Sequence, residues 1–150
     1  MKVFIDADGC PVVNITVAIC RANGIDVTLV CDTSHYFASD YAKVVTVDKG
    51  ADSADMALVN LASEGDIVIT QDYGLAAMCL AKKCICLSQD GLIYDENNID
   101  SLLLSRHIAK KIRRSGGRLR GPHKRTAQAD EDFEAVLNDI IRKNKKEGKI

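Results

Sequence analysis

Short apolar runs alternating with helix-period segments predict an α/β fold: a central, mostly parallel sheet in three layers, with helices on both faces. Three observations carry that prediction. Runs rich in Val and Ile recur at residues 3–5, 25–31, 44–47, 67–69 and 84–87, and segments of helical spacing lie between them. Acidic residues also collect just after several of the runs. In open sheets of this kind, ligands gather beyond the carboxyl ends of the strands.

The elements follow in order. Residues 3–5 form a continuous apolar run, as suits a strand buried on both faces. Pro11 opens a helical pattern in which Val13, Val17 and Cys20 recur, and Gly24 ends it in the manner of a glycine after a C-terminal turn. Residues 25–31 are β-branched-rich and predict a second strand; 33–41 read as a loop and 44–47 as a third strand. A helix is predicted over 52–63, stopped near Gly65, followed by a strand at 67–69, a helix at 75–81 and a strand at 84–87. Residues 91–100 read as a polar connection and 101–114 as a helix. Gly116, Gly117, Gly121 and Pro122 mark an irregular segment. The chain closes on a helix over 126–146, with Phe133, Leu137, Ile140 and Ile141 on one face and acids in its early turns, where the helix dipole favours them. The expected organisation is an acidic-site region over 1–100 and a basic helical extension over 101–150 that packs on or beside it in one structural domain.

At 150 residues, 47% hydrophobic and 27% charged, the chain has an ordinary globular composition and enough length for a core without staples. No apolar run approaches the ~18–20 residues that span a bilayer, and the N-terminus enters a strand without a basic leader, so a cytoplasmic protein is expected. Cys20, Cys79, Cys84 and Cys86 sit among Ala, Ile, Leu and Val, where free cysteine acts as a small hydrophobe. Their spacing lacks the Cys and His pairs of a zinc module. Cys10, beside an acidic cluster, stands apart.

The acids carry the chemistry. Asp6 and Asp8 follow the first strand, two residues apart, so on an extended chain their carboxylates point the same way. Asp48, Asp52 and Asp55 follow the third, and Asp52 and Asp55, three apart, share a helix face. Asp72 follows the fourth, with the Thr70 hydroxyl able to join it. Asp52 serves equally as a helix cap, and Asp48, Asp90 and Asp95 read as turn or loop residues. Like charges held a few ångströms apart repel strongly unless a cation joins them. An all-oxygen shell of Asp6, Asp8, Asp52, Asp55 and Asp72 suits Mg²⁺ or Mn²⁺. With Asp6, Asp8, Asp55 and Asp72 as the catalytic set, such a site can activate water for phosphodiester hydrolysis. No Ser-His-Asp arrangement or glycine-rich phosphate loop competes with that nucleophile, and His35 lies within reach only from its loop.

The same residues carry a family resemblance. Asp6 after the first strand, an acid on a central helix and Thr70-Gln71-Asp72 after the fourth strand resemble the PIN-like nuclease superfamily. The resemblance implies an α/β fold with three or four acids binding Mg²⁺ or Mn²⁺ for phosphodiester hydrolysis. More narrowly, Asp6-Ala7-Asp8-Gly9-Cys10-Pro11-Val12, Gly50-Ala51-Asp52-Ser53-Ala54-Asp55 and Thr70-Gln71-Asp72-Tyr73-Gly74-Leu75-Ala76 are similar to the bacterial YaiI/YqxD family (UPF0178, DUF188). Gly121-Pro122 and Asp132-Phe133 extend the similarity over nearly the whole chain. That family is uncharacterised in function. Against ordinary PIN nucleases, the helical acid lies near the helix start, leaving Asp52 and Asp55 as alternatives, and the basic C-terminal region is an addition.

The net charge of −1 hides a split: residues 1–100 hold 6 Lys+Arg and 15 Asp+Glu, a balance of −9, and residues 101–150 hold 14 and 6, a balance of +8. Arg106, Lys110, Arg113 and Arg114 form one helical stripe, and Arg118, Arg120, Lys124 and Arg125 continue the cationic stretch. An acidic cleft repels a polyanion, and a basic arm beside it restores attraction to phosphates. Few aromatics accompany the charges, so backbone contact is expected rather than base stacking. The expected activity is a metal-dependent nuclease with RNA favoured. One rival is a haloacid-dehalogenase-type phosphatase with Asp6 as nucleophile and Asp8 as acid; the other is a nucleic-acid-binding module without catalysis.

Overall fold

The computed structural model describes residues 1–121 and 123–150; Pro122, which the sequence assigns to an irregular segment, lies outside the described residues. Six strands form one sheet: β1 (Val3–Asp6), β2 (Val27–Asp32), β3 (Lys43–Val47), β4 (Ile67–Ile69), β5 (Ile85–Leu87) and β6 (Ile93–Tyr94). Their spatial order is β3-β2-β1-β4-β5-β6. β1 pairs in parallel with both β2 and β4, and only β6 joins antiparallel, on β5. The chain therefore reverses its direction of travel across the sheet at the β1–β4 junction, and the gap beyond their C-terminal ends is where such sheets hold ligands.

Among the described residues, five helices cover the faces: α1 (Val13–Asn23), α2 (Ser53–Leu61), α3 (Tyr73–Ala81), α4 (Glu96–Arg114) and α5 (Ala127–Lys146). The period-2 alternation of β1 assigns them to layers. Val3 and Ile5 point into a core completed by Ile19 and Cys20 of α1 and Phe133, Leu137 and Ile141 of α5. Phe4 points the other way, toward Leu58 of α2, Leu75 and Cys79 of α3, and Ile99 of α4. The last helix is thus part of the first core. All six cysteines are free; Cys10 is half-buried and the other five are buried. No helix among the described residues is long and apolar enough to cross a membrane.

Element boundaries agree with the sequence reading where punctuation is strong. Gly24 ends α1 in the left-handed conformation at φ 66°, its N–H bonding to Arg21 and Cys20 carbonyls. Two features escaped that reading. The polar stretch 91–100 contains β6, and α4 begins at Glu96 because Asp95 caps it: Asp95 accepts from the Asn97 and Asn98 N–H groups, and the Asn98 side chain answers to the Asp95 N–H. The turn before β6 also touches α5. A Cβ on Gly91, at φ 88°, would stand 3.0 Å from the Asp132 carbonyl oxygen, so this close approach needs glycine.

Candidate functional site

Asp6 is the last residue of β1, and Asp72 is the N-cap of α3, two residues beyond Thr70 at the end of β4. Thr70, only 2% exposed, ties them together. Its hydroxyl donates to Asp6 Oδ2 at 2.8 Å and accepts from the Asp72 N–H at 3.0 Å. Asp72 Oδ1 in turn accepts from the N–H groups of Gly74 (2.9 Å) and Leu75 (3.2 Å), the unsatisfied donors at the start of α3. The parallel pairing of β1 and β4, Ile5 beside Ile69, sets these two ends level.

Asp55 completes a trio from the first turn of α2. Burial first, then the negative charges of Asp72 and Asp6, push its carboxyl up from 3.8 to about 6. Burial also raises the Asp6 carboxyl; the Thr70 hydrogen bond opposes that rise, and the Asp72 and Asp8 charges add to it. Asp72 thus acts on both Asp6 and Asp55, and Asp6 acts on Asp55: the three carboxylates converge. Asp52 is exposed at the N-cap position of α2, yet its side chain makes no cap hydrogen bond, and its backbone adopts φ 60°, uncommon for a residue other than glycine. It contributes the smallest of the charges felt by Asp55. Asp48 lies in an exposed stretch.

Asp8 takes a different place from the one extended geometry suggests. The strand ends at Asp6 and the chain turns, so Asp8 faces the end of β2. Its Oδ2 accepts from the Asp32 N–H at 2.9 Å, and the His35 Nδ1 stands 2.8 Å from its Oδ1. That second approach lacks hydrogen-bond alignment, and Oδ1, closed off from solvent, has no hydrogen-bond partner. Asp8, Asp32 and His35 bring one donor atom each within 4.8 Å of one another. The sequence reading passed over Asp32, although it ends its strand as Asp6 ends β1. Asp6 and Asp8 do share the wall of a small polar cavity, about 50 Å³, with Cys10, Gln71 and Gln89. A larger hollow of about 730 Å³ lies away from the carboxylates, between α1 and residues 38–40, and is crossed by the Arg21–Asp40 ion pair.

The donor set of Asp6, Asp55 and Asp72 fits a hard divalent cation. It is all oxygen, half-buried and short of positive charge, and Asp55 answers that shortage by holding its proton more tightly than a solvated carboxyl does. The trio is more open than the Asp8–Asp32–His35 group.

The basic residues divide into two kinds. Arg106, Lys110, Arg113, Arg114, Arg118, Arg120 and Lys124 are exposed. Of these, Arg106 reaches the site, its Nη1 lying 3.2 Å from Asp72 Oδ1. Arg125 is half-buried and serves as a tie: its guanidinium donates to Asp130 (2.7 Å), Asp90 (2.9 Å) and the Gln89 carbonyl (2.8 Å). Beside the cations, α4 also exposes Leu104, Ile108 and Ile112.

Comparison with known proteins agrees with the narrower of the two resemblances noted above. The model of the DUF188 family, described as "Uncharacterized BCR, YaiI/YqxD family", matches residues 4–143. The chain belongs to the YaiI/YqxD family. A UPF0178 protein of Clostridium acetobutylicum is 46% identical over 147 residues, covering 97% of this chain and 99% of that one. A UPF0178 protein of Exiguobacterium sibiricum is 52% identical over 141 residues, covering 94% and 96%. Among solved structures, Rae1 (YacP) from Bacillus subtilis, a W164L mutant, aligns with 95% of this chain and 99% of its own at 13% identity and a TM-score of 0.48. A likeness that distant carries no argument about activity. These two relatives match nearly the full length of this chain at about half of its positions, and the family description is itself without an assigned function.

Proposed function

We propose that this YaiI/YqxD protein is a divalent-cation-dependent nuclease that hydrolyses phosphodiester bonds, with RNA the favoured substrate. The observation that carries the reading is the convergence of Asp6, Asp55 and Asp72 at the β1–β4 junction, with the Asp55 carboxyl pushed up to about 6. Those three carboxylates would hold Mg²⁺ or Mn²⁺, which supplies Lewis-acid activation of water and of the phosphate. Thr70 fixes the Asp6 carboxylate, and the N-terminus of α3 fixes Asp72. The α4 stripe offsets the negative field that the acidic body presents to a polyanion. Asp8 is an outer neighbour in this arrangement rather than a shared ligand. The phosphatase reading is weakened by the same feature, since an acid held by the Asp32 N–H and faced by His35 is poorly disposed to protonate a leaving group beside Asp6.

The test is cleavage of end-labelled RNA and DNA with Mn²⁺ by the full chain, Asp6→Asn and Asp72→Asn. Loss of an outer-shell partner typically costs 10–100-fold in metal affinity or activity, so loss of a direct ligand should reduce cleavage by about 100-fold or more. Undiminished cleavage in both folded variants would sink the assignment. RNA binding that persists in both variants, with no cleavage by the native chain, would identify a binding module instead. A phosphorylated Asp6 trapped from a phosphomonoester would identify a phosphatase.

A further inference from the structure

Among the described residues, Arg106 is the α4 cation that pairs with an acid, and the acid is a member of the converging trio, 34 residues away in sequence. The contact follows from the way α4 is mounted. Its first turn is locked by the Asp95–Asn98 capping box, and Tyr94, just before it, donates its hydroxyl to the Thr70 carbonyl at 3.1 Å. Ile99, Leu102 and Leu103 then pack in the cluster that contains Leu75 and Cys79 of α3. Ten residues of helix from Glu96 rise about 15 Å, which carries Arg106 to the start of α3 where Asp72 sits. Beyond that point α4 is largely exposed.

Asp72 Oδ1 therefore accepts three donors, the Gly74 and Leu75 N–H groups and the Arg106 guanidinium. The two amides belong to the same turn as Asp72. The guanidinium belongs to another element, on a long side chain that retains 59% exposure. It supplies the positive charge that the trio lacks, and a divalent ion would supply the same charge twice over. Two cations cannot share Asp72 without repelling each other. A guanidinium that leaves a carboxylate beside a bound cation is poised for a phosphate group, whose non-bridging oxygens can accept its paired N–H donors as a carboxylate does.

We infer that Arg106 is the resident counter-ion of the carboxylate trio, that a divalent cation displaces it from Asp72, and that the freed guanidinium then holds a phosphate oxygen of the nucleic acid. The inference rests on the proposed nuclease reading and adds to it a coupling between metal entry and substrate capture. Its test reads metal binding first, without activity. Mn²⁺ is titrated into the full chain, Arg106→Ala, Arg106→Lys and, as a control for net charge on the same helix, Lys111→Ala, with free Mn²⁺ followed by electron paramagnetic resonance. Arg106→Ala should bind Mn²⁺ several-fold more tightly than the native chain, Arg106→Lys should fall between them, and Lys111→Ala should match the native chain. Unchanged or weaker binding by Arg106→Ala overturns the inference while native Mn²⁺ binding keeps the nuclease reading alive. Absence of Mn²⁺ binding in every protein overturns both.

The second arm uses a 2′-O-methyl phosphorothioate strand as a cleavage-resistant probe. Mn²⁺ should raise the native chain's affinity for it, and Arg106→Ala should lose that gain, read in each protein as the ratio of its affinities with and without Mn²⁺. A gain that survives in Arg106→Ala would leave the guanidinium as a mere brace for α4 and overturn the coupling.

Discussion

Asp6, Asp55 and Asp72 arrive from three elements, each held by the sheet or by a helix whose apolar face is buried. Arg106, Lys110, Arg113 and Arg114 arrive from one helix whose buried residue is Ile99, seven or more positions earlier. The first group is fixed in geometry and electrostatically strained; the second is loosely held and differs from it in sign. Convergence from several elements fixes atoms well enough to bind an ion, whereas a single exposed helix fixes little beyond a field. A site for catalysis and an arm for attraction need those two different constructions.

The largest expected effect separates the two regions by stability. Leu75 is fully buried on the helix that carries Asp72, and Leu75→Ala should cost about 2–5 kcal/mol through lost burial and the cavity left behind. Ile108 on α4 is 48% exposed, and Ile108→Ala should stay within about 0.5 kcal/mol. Urea midpoints at constant slope check both. Equal costs would mean that α4 is as deeply integrated as the site, and the contrast would fail.

A ligand sharpens the same contrast. Mn²⁺ at about 100 times its dissociation constant should stabilise the native chain by about 2.7 kcal/mol, visible as a melting temperature several degrees higher. Asp6→Asn should abolish that shift, and replacing both Arg113 and Arg114 by Ala should leave it intact. A shift that survives Asp6→Asn would move the ion elsewhere, with Asp8, Asp32 and His35 the first group to examine.

On the proposed reading, the arm should answer chiefly to salt. If it contacts about four phosphates of a single strand, affinity should fall roughly fifty-fold between 50 and 200 mM salt. Removing Arg113 and Arg114 together should flatten the logarithmic slope by about 1.4. A flat response in the native chain would make α4 a solvated face that only balances the acidic body.

Much of this was legible in the sequence, for physical reasons that differ by element. Parallel strands buried on both faces leave continuous apolar runs, and β4 was read to the residue, at Ile67–Ile69. Asp6 was legible because an acid ending a buried strand must find a partner, and Asp72 because it follows the fourth strand just after Thr70. Asp55 and Asp52 could not be separated, since three residues of helix spacing serve ligand and cap equally; the burial and charge around Asp55 separate them. β6 was illegible because two residues carry no period, and the start of α4 because Asn98, not Glu or Gln, completes its capping box. The Asp8–Asp32 contact and the engagement of Arg125 with Asp90 and Asp130 are long-range consequences of packing, which spacing along the chain does not encode.

The smallest effect is the most specific to the trio. In metal-free protein, the Asp55 carboxyl binds its proton up to about pH 6, whereas in the unfolded chain it releases it near 3.8. Between those values the folded state holds a proton that the unfolded state has lost, so stability falls as pH rises through this window and the loss is complete above about 6. Burial of Asp6 acts in the same direction. Asp55→Asn removes the titration, so with a chelator present its stability relative to the native chain should be more favourable at pH 7 than at pH 5. Saturating Mn²⁺ reverses the sign, because the ion requires the ionised carboxylate and protons compete with it below about 6. Native Mn²⁺ affinity should therefore weaken as pH falls from 7 to 5. A pH-independent difference between the native chain and Asp55→Asn would show that Asp55 does not face the other two carboxylates, and the contrast between a strained acidic centre and a relaxed basic arm would lose its first half.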